Sequence, residues 1–165
     1  MDDAGTTTEG RPEGEAARPS ESRFWGMHGH ALDPKGRVIL PARFREPFRE
    51  GAFVTKLPEG CLGVWTPREF DKRTADMLER GRRSQSGRSV ARSWAAGAFD
   101  ATPDGQGRIA IPPHLREFAR LDGDVVVTGA INHVELWNAS RWSEVDAEGS
   151  QFLLSGTDDL DGLGF

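Results

Sequence analysis

The chain contains the stretch Asp33-Pro-Lys-Gly-Arg37-Val-Ile-Leu-Pro41, and 71 residues later it contains Asp104-Gly-Gln-Gly-Arg108-Ile-Ala-Ile-Pro112. In both copies an aspartate opens a short Gly-containing segment, and an arginine, three apolar residues and a proline follow. The correspondence continues at the same spacing, where Phe44-Arg-Glu46 matches Leu115-Arg-Glu117. Self-similarity of this length is typical of an internal repeat, so we interpret the chain as two copies of one unit of roughly 50 residues.

Each copy predicts the same series of elements. Its Pro and Gly residues favour a tight turn, the apolar residues form a short strand, and the proline that ends this strand begins a short helix, at 41–45 or 112–121. A hairpin follows at 52–65 or 124–137, and a helix closes each unit. Because four short strands cannot bury both of their faces alone, we expect the two units to exchange strands and enclose one shared core.

The closing helices have recognisable starts. Thr66-Pro-Arg-Glu69 is a capping box, and Asn138 is a good N-cap at the corresponding place in the second unit. Trp65 and Trp137, just before these caps, are predicted to anchor the shared core. The first helix is expected to place three apolar residues on one face: Phe70, Met77 and Leu78.

Composition and charge divide the chain into segments. The net charge of −5 is an average, because residues 23–92 hold fifteen basic against eight acidic residues, whereas 93–143 hold four against six. Residues 1–22 are rich in Gly, Pro, Thr and Glu, which is typical of a disordered segment. The predicted organisation is a disordered acidic tail at 1–22, a first repeat with its helix at 23–80, a basic linker at 81–92, a second repeat at 93–145 and an acidic C-terminal tail at 146–165.

Several classes of protein are disfavoured. The 165 residues have a mean hydropathy of −0.55 and no apolar run long enough to cross a membrane, and without a secretory signal pattern the expected location is cytoplasmic. His28 and His30 have the spacing of a zinc pair on a strand, but no third ligand has a recognisable spacing, so we interpret them as exposed strand histidines. Cys61 is expected to be a small core residue. We therefore predict no catalytic residues, no metal, no cofactor and no small-molecule substrate.

The two Asp-x-x-x-Arg motifs, each with Gly before the Arg and Pro four residues beyond it, together with Trp137, resemble the MraZ family of bacterial transcriptional regulators over about residues 24–145. The resemblance implies a mainly β fold with short helices (α+β), in which two AbrB-like modules form a swapped-hairpin barrel with an additional helix after each repeat. It also implies a ring-shaped homo-oligomer, associated with the nucleoid. Its partner would be double-stranded DNA at tandem promoter repeats of the division and cell wall gene cluster.

In that family the loop that bears the first Asp-x-x-x-Arg motif is associated with DNA contact. Arg37 lies on this turn and suits a two-hydrogen-bond contact with guanine, while Lys35 suits a phosphate. The second unit has Gln106 in place of Lys35, which together with the charge difference points to the first unit as the one that faces DNA. Further basic residues that would widen this surface are Arg43, Arg45 and Arg49.

A structural interpretation of the same motifs stays open. Arg37 would then form an ion pair with Asp33 across the turn, and Arg108 would do so with Asp104, while Gly36 and Gly107 shape the two turns. The alternative function is a DNA-independent oligomeric scaffold, in which these turns are subunit contacts and the tails recruit partners. In that case Phe152, Leu153 and Leu154 are the apolar residues with which the C-terminal tail would dock on a partner.

Overall fold

The structure is a computed structural model, and it describes residues 22–156. Within this range the chain is a mixed α+β fold of antiparallel sheets and helices. Two 3-10 helices, Ala42–Phe44 and Glu46–Phe48, stand where a short helix is expected in the first unit. The strands are β1 Met27–Ala31, β2 Arg37–Ile39, β3 Ala52–Lys56, β4 Leu62–Trp65, β5 Phe99–Ala101, β6 Arg108–Ala110, β7 Asp124–Gly129 and β8 Val134–Asn138, and the helices are α1 Pro67–Arg83, α2 Gln85–Gly97, α3 Pro113–Phe118 and α4 Ala139–Ser155.

The two repeats exchange strands, as the sequence predicts. The order in the six-stranded sheet is β1-β7-β8-β4-β3-β5, so β1 of the first repeat pairs with β7 of the second, and β5 of the second pairs with β3 of the first. A separate two-stranded ribbon consists of β2 and β6. The described strands therefore form two sheets and not one closed barrel. Pro41 and Pro112 follow the ribbon closely, and a proline has no N–H with which to extend the ladder.

Apolar residues fill both faces of the large sheet. On one face the sheet, the ribbon and the short helices enclose the main core, and equivalent residues of the two repeats meet there. Val125 and Val127 point into this core, whereas Val126 between them lies on the opposite face, as the alternation of a strand requires. On that opposite face Trp65 and Trp137 are buried together, beneath α1 and α4.

The predicted helix starts are confirmed. Thr66 Oγ1 accepts the N–H of Glu69 at 3.4 Å, and Asn138 Oδ1 accepts the N–H of Arg141 at 3.2 Å. The predicted apolar face of α1 is wrong at Leu78, which is 60% exposed while Met77 is buried. Phe70 and Met77 lie seven residues apart and therefore share a face, whereas the next residue is rotated by about 100°.

Most of the segment 81–92, predicted as a basic linker, is helical. Its first residues end α1, and Ser84 caps α2 by accepting the N–H of Gly87 at 2.9 Å. A Cβ at Gly87 would collide with the carbonyl oxygen of Arg80, so glycine permits the close approach of the two helices. Likewise α4 extends through the first part of the expected acidic tail and ends at Ser155. The predicted N-terminal tail lies outside the described residues except for its last residue.

Candidate nucleic-acid interface

Each Asp-x-x-x-Arg motif forms a turn that its aspartate closes. Asp33 Oδ1 accepts the backbone N–H groups of Lys35 and Arg37 at 2.9 Å, and its Oδ2 accepts Arg37 Nε–H at 2.7 Å. Asp104 repeats these three bonds with Gln106 N at 2.9 Å, Arg108 N at 3.0 Å and Arg108 Nε at 2.6 Å. The ion pairs of the structural interpretation are therefore present in both repeats.

Hydrogen bonds to the ionised carboxylates dominate the electrostatics of the turns. The backbone N–H of Arg108, followed by the guanidinium of that residue, lowers the pKa of Asp104 to about 2. The corresponding groups of Arg37 also lower the pKa of Asp33. Both carboxylates consequently stay ionised and hold their arginines throughout the neutral range.

The ribbon brings the two turns together. In its antiparallel register Arg37 is paired with Ala110 and Ile39 with Arg108, while Val38 and Ile109 between them are buried in the core. Arg37 and Arg108 therefore share the outer face of the ribbon. Arg37 Nη1 lies 3.9 Å from Asp104 Oδ2, so the guanidinium of the first turn is placed between the carboxylates of both turns.

Each turn rests on an arginine of the other repeat. Gly36 has φ +75°, and a Cβ there would lie 2.8 Å from Arg116 Cζ. Gly107 has φ +77°, and a Cβ there would collide with Arg45 Nε. The two arginines are held in place because Arg45 Nε donates to Leu40 O at 2.9 Å and Arg116 Nε donates to Ile111 O at 3.0 Å.

Arg45 is thus half-buried beneath the second turn, whereas Lys35 and Arg43, which are also predicted to contact DNA, are exposed. The interpretation of the sequence missed its partner Arg116, although the repeat carries a signal for it. Arg116 occupies the position equivalent to Arg45 at the spacing of 71 residues.

Two exposed basic side chains of the first repeat are Lys35, on the first turn, and Arg43, in the 3-10 helix that follows β2. Lys35 is exposed and its side chain makes no hydrogen bond or ion pair with any residue of 22–156. Arg43 is exposed, with its guanidinium carbon 5.8 Å from the centre of the Phe44 ring. Arg49, in contrast, is paired with Glu46 at 2.9 Å. In the second repeat Gln106 and His114 stand at the positions of Lys35 and Arg43, so neither cation has a counterpart there. Lys35 belongs to the first turn, whereas Arg43 follows the end of β2, where the Leu40 N–H donates to Gly107 O of the second turn.

Much of the basic excess of the first repeat lies elsewhere. Helices α1 and α2 together hold eight basic and four acidic residues, and they cover the face of the sheet opposite to the ribbon. The charge difference between the repeats is therefore partly a property of this helical hairpin. At the first turn itself, the exposed Lys35 supplies a free positive charge.

The remaining candidate residues occupy apolar surroundings. His28 and His30 are half-buried and not exposed as expected, because β1 directs them towards the core side, where the His28 ring stands edge-on to Phe44. Burial, followed by the charges of His28 and Arg45, lowers the pKa of His30. Among residues 22–156 no three His, Cys, Asp or Glu side chains are grouped so as to hold a metal ion. Cys61 is buried as predicted, and burial raises the pKa of its thiol.

None of the helices in the described part of the chain is long and apolar enough to span a membrane.

Comparisons with known proteins agree on one family. The family model described as "MraZ protein, putative antitoxin-like" matches residues 24–93 and again residues 94–159. A transcriptional regulator MraZ of Arthrobacter sp. (strain FB24) is 42% identical over 136 residues, which cover 82% of this chain and 95% of the relative. The transcriptional regulator MraZ of Paenarthrobacter aurescens (strain TC1) is 40% identical over 142 residues, covering 86% and 99%. That of Saccharopolyspora erythraea is 44% identical over 119 residues, covering 72% and 83%.

Proposed function

The chain belongs to the MraZ family, whose named members are transcriptional regulators and not enzymes, and from this premise we propose that it is a sequence-specific regulator that binds double-stranded promoter DNA. The observation that carries the proposal is the pair of equivalent, aspartate-closed turns at the two ends of the ribbon, the first of which bears the free cation Lys35. The proposal places the protein in the cytoplasm, in association with the nucleoid.

The proposed contact uses the Nη groups of Arg37. Its Nε is bound to Asp33, so the two Nη groups are left to donate to the O6 and N7 acceptors of a guanine in the major groove. Because Asp33 fixes the guanidinium plane, little side-chain freedom remains to be lost on binding. Lys35 acts as a phosphate contact beside it, and Arg43, in the 3-10 helix after β2, acts as a further one.

Arg45 enters this proposal in a different role. Its Nε bond to Leu40 O and its position against Gly107 make it a positioning residue for the second turn. The aspartates Asp33 and Asp104 hold the arginines, and Gly36 and Gly107 supply the left-handed backbone of the turns. Asp104 holds Arg108 as Asp33 holds Arg37, but the second turn has Gln106 in place of the cation Lys35, so we assign the first turn as the main contact.

We further propose that the protein acts as a ring-like homo-oligomer on tandem repeats in the promoter of the division and cell wall gene cluster. One ribbon offers few contacts with DNA, which is too little for tight specific binding. A closed assembly presents several ribbons to neighbouring repeats at high effective concentration, and this raises affinity without a new kind of contact.

The second candidate function is a DNA-independent scaffold. The observation in its favour is that both motif arginines are already ion-paired within the chain. A gel-shift experiment with the DNA upstream of the protein's own gene, run at two salt concentrations, separates the two functions. A DNA-binding regulator shifts this DNA in preference to a shuffled sequence and does so less strongly at the higher salt. A scaffold shifts neither the upstream DNA nor the shuffled sequence, even at protein concentrations at which it is assembled.

A further inference from the structure

The end of α4 is an apolar surface that nothing among residues 22–156 covers. The first half of α4 packs on the sheet through Trp142 and Val145, beside the buried Trp137. Further along, Phe152, Leu153 and Leu154 are 61%, 59% and 89% exposed. Three consecutive residues surround much of the helix circumference, so these side chains form an apolar tip at the end of a projecting helix.

A groove of about 230 Å³ lies elsewhere on the same chain, between α1, α2 and the chain after β3. Its lining is almost entirely apolar, and it includes Val90 and Phe118, which are 54% and 38% exposed. Lys56 and Arg73 are the two basic residues of its lining. The other apolar residues along it include Leu57, Met77 and Trp94.

The two surfaces also differ in charge. After Arg141, the part of α4 that leads to the tip holds three acidic residues and no basic residue. The helices that border the groove hold eight basic against four acidic residues. An acidic helix with an apolar tip therefore complements a basic helical hairpin with an apolar groove, in both chemistry and charge.

We propose that the tip of α4 docks into the α1–α2 groove of a second copy of the chain. The inference deepens the proposed homo-oligomer and rests on it. The tip is exposed in its own chain, so it does not occupy the groove of that chain. Tip and groove are different surfaces, so the contact is head-to-tail, and an open chain of subunits leaves one unfilled tip and one unfilled groove at its two ends. Closure of a ring fills all of them.

The first test changes the tip in the full-length protein. The double variant Leu153→Asp/Leu154→Asp removes two apolar anchors, and the double variant Ser150→Asp/Gln151→Asp adds the same charge to the same helix without removing them. Full burial of a leucine strengthens association by a factor on the order of ten to a hundred. Light scattering should therefore show the leucine variant as monomer at concentrations where wild type and the control variant are assembled. Its circular dichroism should be unchanged, while its thermal midpoint should fall to the value that wild type shows when diluted to monomer.

The results separate this proposal from the proposed function. If wild type itself is monomeric, the ring and the docking are both wrong. If wild type is assembled and the leucine variant is equally assembled, the docking is wrong while the ring and its DNA contact stand. Binding of the leucine variant to one isolated DNA repeat should equal that of a wild-type subunit, because the ribbon is unaltered.

A second test identifies the surfaces that meet. Chains with Leu154→Cys are mixed with chains with Val90→Cys and treated with a short bismaleimide. The native Cys61 is not expected to react, because it is buried. A cross-linked dimer should form in the mixture and not with Leu154→Cys and Lys35→Cys chains, since Lys35 lies on the ribbon. Equal cross-linking of both mixtures, or of neither, would overturn the assignment of the groove.

Discussion

Replacement of Arg37 by alanine isolates the proposed base contact from the fold of the turn. The change removes the guanidinium, whose Nε lies 2.7 Å from Asp33 Oδ2. It keeps the hydrogen bonds that the backbone N–H groups of residues 35 and 37 donate to Asp33 Oδ1, and it keeps the left-handed backbone of Gly36. We therefore expect Arg37→Ala to fold and assemble with at most a small loss of stability.

The expected effect on DNA binding is larger. A bidentate arginine–guanine contact discriminates by about 1–3 kcal/mol, which corresponds to roughly 5- to 150-fold for one subunit. Two engaged subunits would lose about 2–6 kcal/mol together, if their contacts are independent. Because Lys35 and Arg43 keep their charges, the variant should approach the wild-type affinity for shuffled DNA instead of losing all binding.

Fluorescence anisotropy with labelled upstream DNA and a shuffled sequence of equal length measures this loss of preference. Arg49→Ala is the matched control, because it also removes one arginine, and that residue is exposed and paired with Glu46. Arg37→Ala should lose the preference for upstream DNA, whereas Arg49→Ala should keep it. The reasoning is refuted if Arg37→Ala, shown to be folded and assembled, prefers the upstream DNA as strongly as wild type does.

Three further predictions concern the same turns. Lys35→Ala should weaken binding to all DNA sequences alike. It should also reduce the slope of log affinity against log salt by about one for each engaged subunit, and an unchanged slope would exclude a phosphate contact. Gly107→Ala should lower the thermal midpoint, because φ is +77° and the new Cβ would collide with Arg45. The free energy of unfolding should fall by more than about 1 kcal/mol. Gly105→Ala is the control, because a Cβ at Gly105 meets no atom within 4 Å. The folded pKa of Asp104, about 2, lies below its ordinary value of 3.8, so its stabilising contribution is present above about pH 4 and is lost as the pH falls towards 2. Acid unfolding of Asp104→Asn should accordingly depend less on pH in this range, and an unaltered pH profile would contradict it.

Local sequence signals predicted the parts of the fold that neighbouring residues control. The turns, their aspartates and the helix caps at Thr66 and Asn138 depend on hydrogen bonds within about five residues, so their residue types identify them. The repeat itself also implied an exchange of strands, since neither unit could bury both of its faces. Membership of the family followed from the same two motifs.

The segment 81–92 shows where such signals fail. Its Gly, Ser and Arg residues are typical of a loop, yet most of them are helical because α1 and α2 pack against each other over its length. Packing supplies more helix stability than intrinsic propensity does. Gly87, which suggests a break in the sequence, is the residue that allows α2 to approach the carbonyl of Arg80.

By itself, the sequence determined that there are two equivalent turns, each with an aspartate, a glycine and an arginine, because these features are local and repeated. The tertiary structure alone placed the turns at the two ends of one short ribbon, with Arg37 Nη1 3.9 Å from Asp104 Oδ2, and put Arg45 and Arg116 each beneath the turn of the other repeat. It also decided that Lys35 and Arg43 stay free while Arg37 is ion-paired. The physical reason is that pairing between β2 and β6 joins residues about 70 positions apart, and contacts at that separation depend on the burial of the whole core.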